Sequence, residues 1–152
     1  MVIRTIVHFE IPAADPSRLV DFYGRVFGWE FAKAEMPGME YWLISTGPQG
    51  KSVGGGMYRK MAAEDRPRNF VLVDRIDPAI QTFKAAGGTE VTGKMEVPNM
   101  GWSFIGADPE GNLVALWEAK MPPPAPPRSR PRRRAARRAA RARPARRGRR
   151  KR

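Results

Sequence analysis

His8 and Glu10 are the two side chains of this sequence best placed to do chemistry together. Residues 3–11 alternate as a strand does, so Ile6, His8 and Glu10 share one face while Val7, Phe9 and Ile11 share the other. An imidazole titrates near neutrality and can take or give a proton there, and a neighbouring carboxylate can orient it and raise its pKa. His8 therefore has three readings: a general acid or base, a metal ligand, or a pocket histidine hydrogen-bonded to Glu10 or to a backbone carbonyl. Glu10 can equally lie at a solvated strand end. The chain has one histidine and no cysteine, which excludes a thiolate nucleophile, a disulfide framework and cysteine-ligated zinc. One histidine and one glutamate also fall short of the three or four ligands a divalent ion needs.

The elements that must position this pair follow from the residues downstream. Asp15 occupies an N-cap position with Pro16 in the first helical turn, and Leu19, Phe22, Tyr23, Val26 and Phe27 recur at helical spacing until Gly28 stops the helix. This helix covers the apolar face of the first strand. Strands are expected over residues 29–33 and 40–46, separated by Pro37-Gly38, and over 52–58, a strand carrying Gly54, Gly55 and Gly56. Residues 59–67 read as a connector. A strand at 69–74, a helix over 77–86 opening on Asp77-Pro78, and strands at 89–95, 102–106 and 113–118 then repeat the β-α-β-β-β order. Aligning Asp15-Pro16 with Asp77-Pro78 sets His8 against Phe70. Aligning Pro48-Gln49-Gly50 with Pro109-Glu110-Gly111 sets Gly54 against Ala115 and Gly56 against Trp117. The two alignments differ by a single-residue adjustment, so the chain reads as a duplication, with modules over about 3–58 and 68–119.

Charge divides the chain in two. Of 28 lysines and arginines, 15 fall in residues 121–152, where there is no acid; the other 13 share residues 1–120 with all 15 acids. The net charge of +13 is thus a property of the tail. Its proline-rich start favours an extended spacer, and its arginine blocks cannot collapse into a core, so the expectation is a domain over 1–120 and a disordered basic arm over 121–152. Arg132, Arg133, Arg134, Arg137 and Arg138 are the residues expected to meet nucleic acid or another acidic surface, non-specifically and in a salt-dependent way, since no aromatics interleave to stack bases. A solvated appendage without a role is the competing reading. No apolar run approaches the ~20 residues of a membrane span, and the N-terminus lacks the features of a signal peptide. A cytoplasmic protein without a membrane association is expected, as a monomer or homodimer.

The segments HFEIP, DFYGRVFGW, GGGMY, AAGG and DPEGNLVALWE resemble the vicinal oxygen chelate superfamily, over about residues 3–119. That group includes glyoxalase I, extradiol dioxygenases, fosfomycin-modifying enzymes and bleomycin-binding resistance proteins. The resemblance implies an α+β fold: two βαβββ modules forming a half-open curled sheet, with helices outside and a concave cavity inside. His8 and Glu10 would face that cavity, as would Phe70 and Leu72 at the corresponding strand of the second module. Metal-dependent members draw ligands from the first and last strands of each module. The last-strand glutamate position falls here on Ala115, with Gly54 its partner, and the first-strand position of the second module falls on Arg68 or Phe70. Only His8 supplies a donor, which favours a pocket residue over a metal ligand.

The resemblance thus implies a small organic ligand, with one divalent metal ion and none equally open. Gly54 and Gly56 on one side, and Ala115 and Trp117 on the other, suit the wall of a cavity for a flat or bulky molecule. Tight curvature of the sheet explains the glycines as well. Tyr41, Trp42, Trp102 and Phe104 occupy matching places in the two modules, and parity does not choose which face inward, because both faces there are apolar. Glu118 closes the last motif, but its parity sets it with Val114 and Leu116, away from Ala115 and Trp117, so it is read as structural or exposed. Two functions stand: a glyoxalase-like lyase or dioxygenase relative using His8, or a protein that binds and sequesters a small molecule without chemistry.

Overall fold

The computed structural model describes residues 4–120. The arginine-rich arm, with Arg132, Arg133, Arg134, Arg137 and Arg138, lies outside the described residues.

The chain runs β1 (Ile6–Ala13), α1 (Pro16–Phe27), β2 (Glu30–Met36), β3 (Met39–Ser45), β4 (Gly55–Arg59), β5 (Arg68–Leu72), α2 (Ile76–Ala85), β6 (Thr89–Val97), β7 (Gly101–Ala107) and β8 (Leu113–Ala119). The strands form one curled open sheet in the order β2-β3-β4-β1-β5-β8-β7-β6. Within each module the first strand runs parallel to the last, β1 beside β4 and β5 beside β8. The modules meet where β1 pairs antiparallel with β5, setting His8 opposite Phe70 and Glu10 opposite Arg68. The residues that the duplication makes equivalent, His8 and Phe70, are thus neighbours across the seam.

Local chemistry sets the ends of α1 as expected. The Asp15 carboxylate accepts the Arg18 N–H at 3.1 Å, and Gly28 closes the helix in the left-handed region at φ 68°. The second helix departs from its counterpart. It begins at Ile76 rather than at Asp77, and its N-cap residue, Arg75, makes no side-chain cap. Asp77 instead receives Lys94 Nζ at 2.9 and 2.8 Å, and Glu118 of β8 accepts the Ile76 N–H at 2.5 Å. A carboxylate from across the sheet has replaced the local cap, so Glu118 is structural and lies on the helix side, where its parity sets it.

The two helices cover one face of the sheet. Phe9, Ile11, Leu19, Val20, Trp29 and Trp42 pack around buried Ala13, Ile44 and Met57 in the first module. Ala79, Ile80, Phe83 and Trp102 pack around buried Val73, Ile76, Phe104 and Leu116 in the second. Trp42, Trp102 and Phe104 therefore belong to the helix side. A third cluster, of Phe70, Ile105, Ala115 and Trp117, lies on the opposite face.

Candidate functional site

The alternation of β1 that sends Phe9 and Ile11 to α1 turns His8 and Glu10 to the concave face. Glu10 is only 8% exposed, too little for water to solvate a carboxylate, so its position is tenable only with partners. Two are present. Arg68 stands directly across the β1–β5 seam and brings Nη2 to 2.5 Å and Nε to 2.7 Å of Oε2. Tyr41 of β3 donates its hydroxyl to Oε1 at 3.0 Å. The same hydroxyl lies 3.0 Å from His8 Nε2, so Arg68, Glu10, Tyr41 and His8 form one chain of charge and hydrogen bonds.

Tyr41 reaches Glu10 because of Gly56. These residues are two strands apart, with β4 between β3 and β1, and Gly56 lies opposite Glu10. A Cβ at Gly56 would collide with the Tyr41 hydroxyl and ring, so the absent side chain leaves the space through which Tyr41 crosses β4. Gly55 serves the other face in the same way, giving room to the Phe9 ring. Gly54 precedes β4, and a Cβ there would come within 3.3 Å of the Ile44 carbonyl.

The direction of the Tyr41 hydrogen bond bears on the tautomer of His8. A tyrosine hydroxyl has one proton, and here it is committed to the Glu10 carboxylate. His8 Nε2 must then carry the hydrogen that approaches the Tyr41 oxygen, leaving Nδ1 with a lone pair and no partner among the described residues. Burial lowers the His8 pKa below its ordinary value of 6.5, with Glu10 opposing, so the ring is neutral at physiological pH. Burial, reinforced by Glu10, pushes the Tyr41 phenol far up, keeping it a donor.

Around this polar chain the concave face is apolar. Phe70 meets the His8 ring edge to face at a centroid distance of 5.4 Å and continues into Ala115, Ile105 and Trp117. Leu72 pairs with Trp117 at the end of β5. The Arg68 guanidinium sits 4.9 Å from the Tyr58 ring centre and 6.0 Å from that of Phe70. The Tyr58 hydroxyl is buried and has no partner among the described residues. A surface hollow of about 760 Å³ beside Lys33, Met36 and Glu40 contains none of these groups.

The donor set does not fit a divalent ion. Among the described residues no three of His, Cys, Asp and Glu gather in one place. Both Glu10 oxygens are already taken, one by a guanidinium whose positive charge would repel a metal at that carboxylate. Sequence reasoning brought His8, Glu10, Phe70, Ala115 and Trp117 to one face but missed Tyr41 and Arg68 as partners. The signal for Arg68 was available: a carboxylate on a buried strand face requires a cation. Nothing in the apolar run around Tyr41 could have selected it.

A curled sheet built from paired βαβββ modules defines the glyoxalase-like class of fold. The chain belongs to the Glyoxalase/Bleomycin resistance protein/Dioxygenase superfamily, whose family model matches residues 5–116. Among curated proteins no relative matches. Among solved structures, the chain is similar to methylmalonyl-CoA epimerase from Mycobacterium tuberculosis, with a TM-score of 0.61 and 15% identity over 78% of this chain and 91% of that one. A hypothetical protein from Bacillus halodurans gives a TM-score of 0.61 at 14% identity over 79% and 97%. A member of the same superfamily from Vibrio splendidus gives 0.55 at 18% over 76% and 98%. At these identities the likeness is one of fold.

Proposed function

We propose that the concave face binds a small organic molecule and does so without a metal ion. The observation that carries this reading is the double commitment of Glu10, whose oxygens are held by Arg68 and Tyr41. Phe70, Ala115, Ile105 and Trp117 supply the apolar wall, and His8 Nδ1 supplies an acceptor. Metal analysis of full-length protein purified without an affinity tag is the direct test. Sub-stoichiometric metal, with no change in melting temperature on adding a chelator, is expected. Stoichiometric metal that disappears in His8→Ala would overturn the reading.

Proton abstraction by His8 is a second reading, favoured by its neutral ring and by the Tyr41 contact that holds it. The two readings separate on turnover. Once a ligand is found, a binding protein returns it unchanged, whereas an enzyme converts it at a rate that His8→Asn removes.

The basic arm is a separate matter, and for it we propose salt-dependent contact with nucleic acid. The support is its 15 basic residues without an acid. Comparing duplex-DNA affinity of the full chain with that of residues 1–120, at two salt concentrations, tests it; equal affinities would remove the proposal.

A further inference from the structure

We infer that the molecule bound on the concave face is a neutral hydrogen-bond donor, of the chemical class of a phenol, and that carboxylates are excluded by the Arg68–Glu10 pair and by the tautomer Tyr41 imposes on His8. The inference rests on the reading of this face as a ligand site and narrows what that site can take.

Three observations carry it. First, Arg68 is the only lysine or arginine at an inward position of β1, β4, β5 and β8, and its charge is spent on Glu10 at 2.5 and 2.7 Å. Among the described residues these four strands therefore offer no free inward cation to compensate a buried anion, and an unpaired buried charge is strongly disfavoured. Second, apart from the Tyr58 hydroxyl, whose ring lies under the Arg68 guanidinium, a polar atom without a partner among the described residues of this face is His8 Nδ1, a lone pair. It attracts an O–H or N–H and repels a carboxylate oxygen. Third, the residues next to it form an aromatic and aliphatic cluster. Phe70 stands edge to face with His8 and is continuous with Trp117 through Ala115 and Ile105. A planar molecule against this cluster would donate one hydrogen bond to Nδ1.

Tyr41 acts here as a positioning residue. It touches His8 and Glu10 and need not touch the ligand. Its single proton, given to Glu10, obliges His8 to hold its own hydrogen on Nε2. Without that hydroxyl, the proton is free to move to Nδ1 and the acceptor is lost.

Phenol and benzoate are a matched pair for the test, both planar monosubstituted rings, the first neutral and the second an anion at neutral pH. Because His8 is the only histidine, its two ring nitrogens give unambiguous nitrogen-15 resonances in the full-length protein. The expected result has three parts. In the free protein above the His8 pKa, Nε2 is protonated and Nδ1 is not. Phenol shifts the Nδ1 resonance and quenches tryptophan fluorescence, while benzoate does so at least about tenfold more weakly. Tyr41→Phe returns the ring to a mixture of tautomers. A gain-of-function variant adds an independent arm: Glu10→Gln releases the Arg68 charge, and the preference for phenol over benzoate should narrow or invert. A hydrogen on Nδ1 in the wild-type protein would overturn the inference whatever the site binds. Benzoate binding as tightly as phenol would overturn it while leaving the site itself standing. If neither compound perturbs His8 or the tryptophan fluorescence, the ligand-site reading falls and the inference with it.

Discussion

The ring of Tyr41 lies across Gly56, in space that any side chain at Gly56 would occupy. That contact lets a residue of β3 reach the carboxylate of β1 over the strand between them. Gly56→Ala should therefore displace Tyr41 and cost about 1–3 kcal/mol, the usual penalty for overpacking a tight site. In a Tyr41→Ala background the same substitution should cost far less. A double-mutant cycle from denaturant melts measures the difference, and additive costs would show that the contact is unimportant.

Removing only the Tyr41 hydroxyl isolates its hydrogen bonds. Tyr41→Phe leaves Glu10 Oε1 and His8 Nε2 without their partner. A loss of about 1–3 kcal/mol in unfolding free energy is expected, the range for stranding buried polar atoms. No measurable change would mean that water takes the place of the hydroxyl.

Arg68 holds the modules together by charge as well as by strand pairing. Arg68→Met should destabilise by about 3–5 kcal/mol, because Glu10 is then buried without a cation. Replacing both partners, Glu10→Leu with Arg68→Met, should recover most of that loss. Failure of the double variant to recover in thermal melts would place the importance of Arg68 in its packing on Tyr58 instead.

Glu118 caps α2 from β8 through the Ile76 N–H. Glu118→Ala should cost about 0.5–2 kcal/mol, the value of a lost N-cap, and should raise amide exchange in the first turn of the helix. Unchanged exchange there would show that the first turn does not depend on this carboxylate.

Acid should act through His8. Its folded pKa is lowered by burial, so below the unfolded value of 6.5 the unfolded chain binds a proton that the folded chain resists. The stability contributed by neutral His8 is complete above that value and is lost as pH falls. Wild-type protein should therefore lose more stability than His8→Gln between about pH 7.5 and 5.5. Parallel losses in urea titrations would contradict the assignment. Glu10 and Tyr41 are the polar groups acting on the ring, and both remain in the variant.

Short-range chemistry made much of this protein legible in its sequence. Asp15, Pro16 and Gly28 set α1 through bonds and dihedrals spanning a few residues, and alternation fixed which face of β1 carries His8 and Glu10. The repeated Asp-Pro and Pro-x-Gly turns gave the duplication, and with it the partnership of His8 and Phe70. Tertiary structure alone decided what those side chains touch. Arg68 meets Glu10 because two strands distant in sequence pair in one register, and Tyr41 arrives over a glycine from a strand whose two faces look alike in sequence. Asp77 has the same neighbour as Asp15, yet Lys94 draws it away and Glu118 takes over the cap. Local patterns specify elements and faces, because those depend on neighbours along the chain. The partners of a buried charge depend on strand order and register, which are settled only when the whole sheet closes.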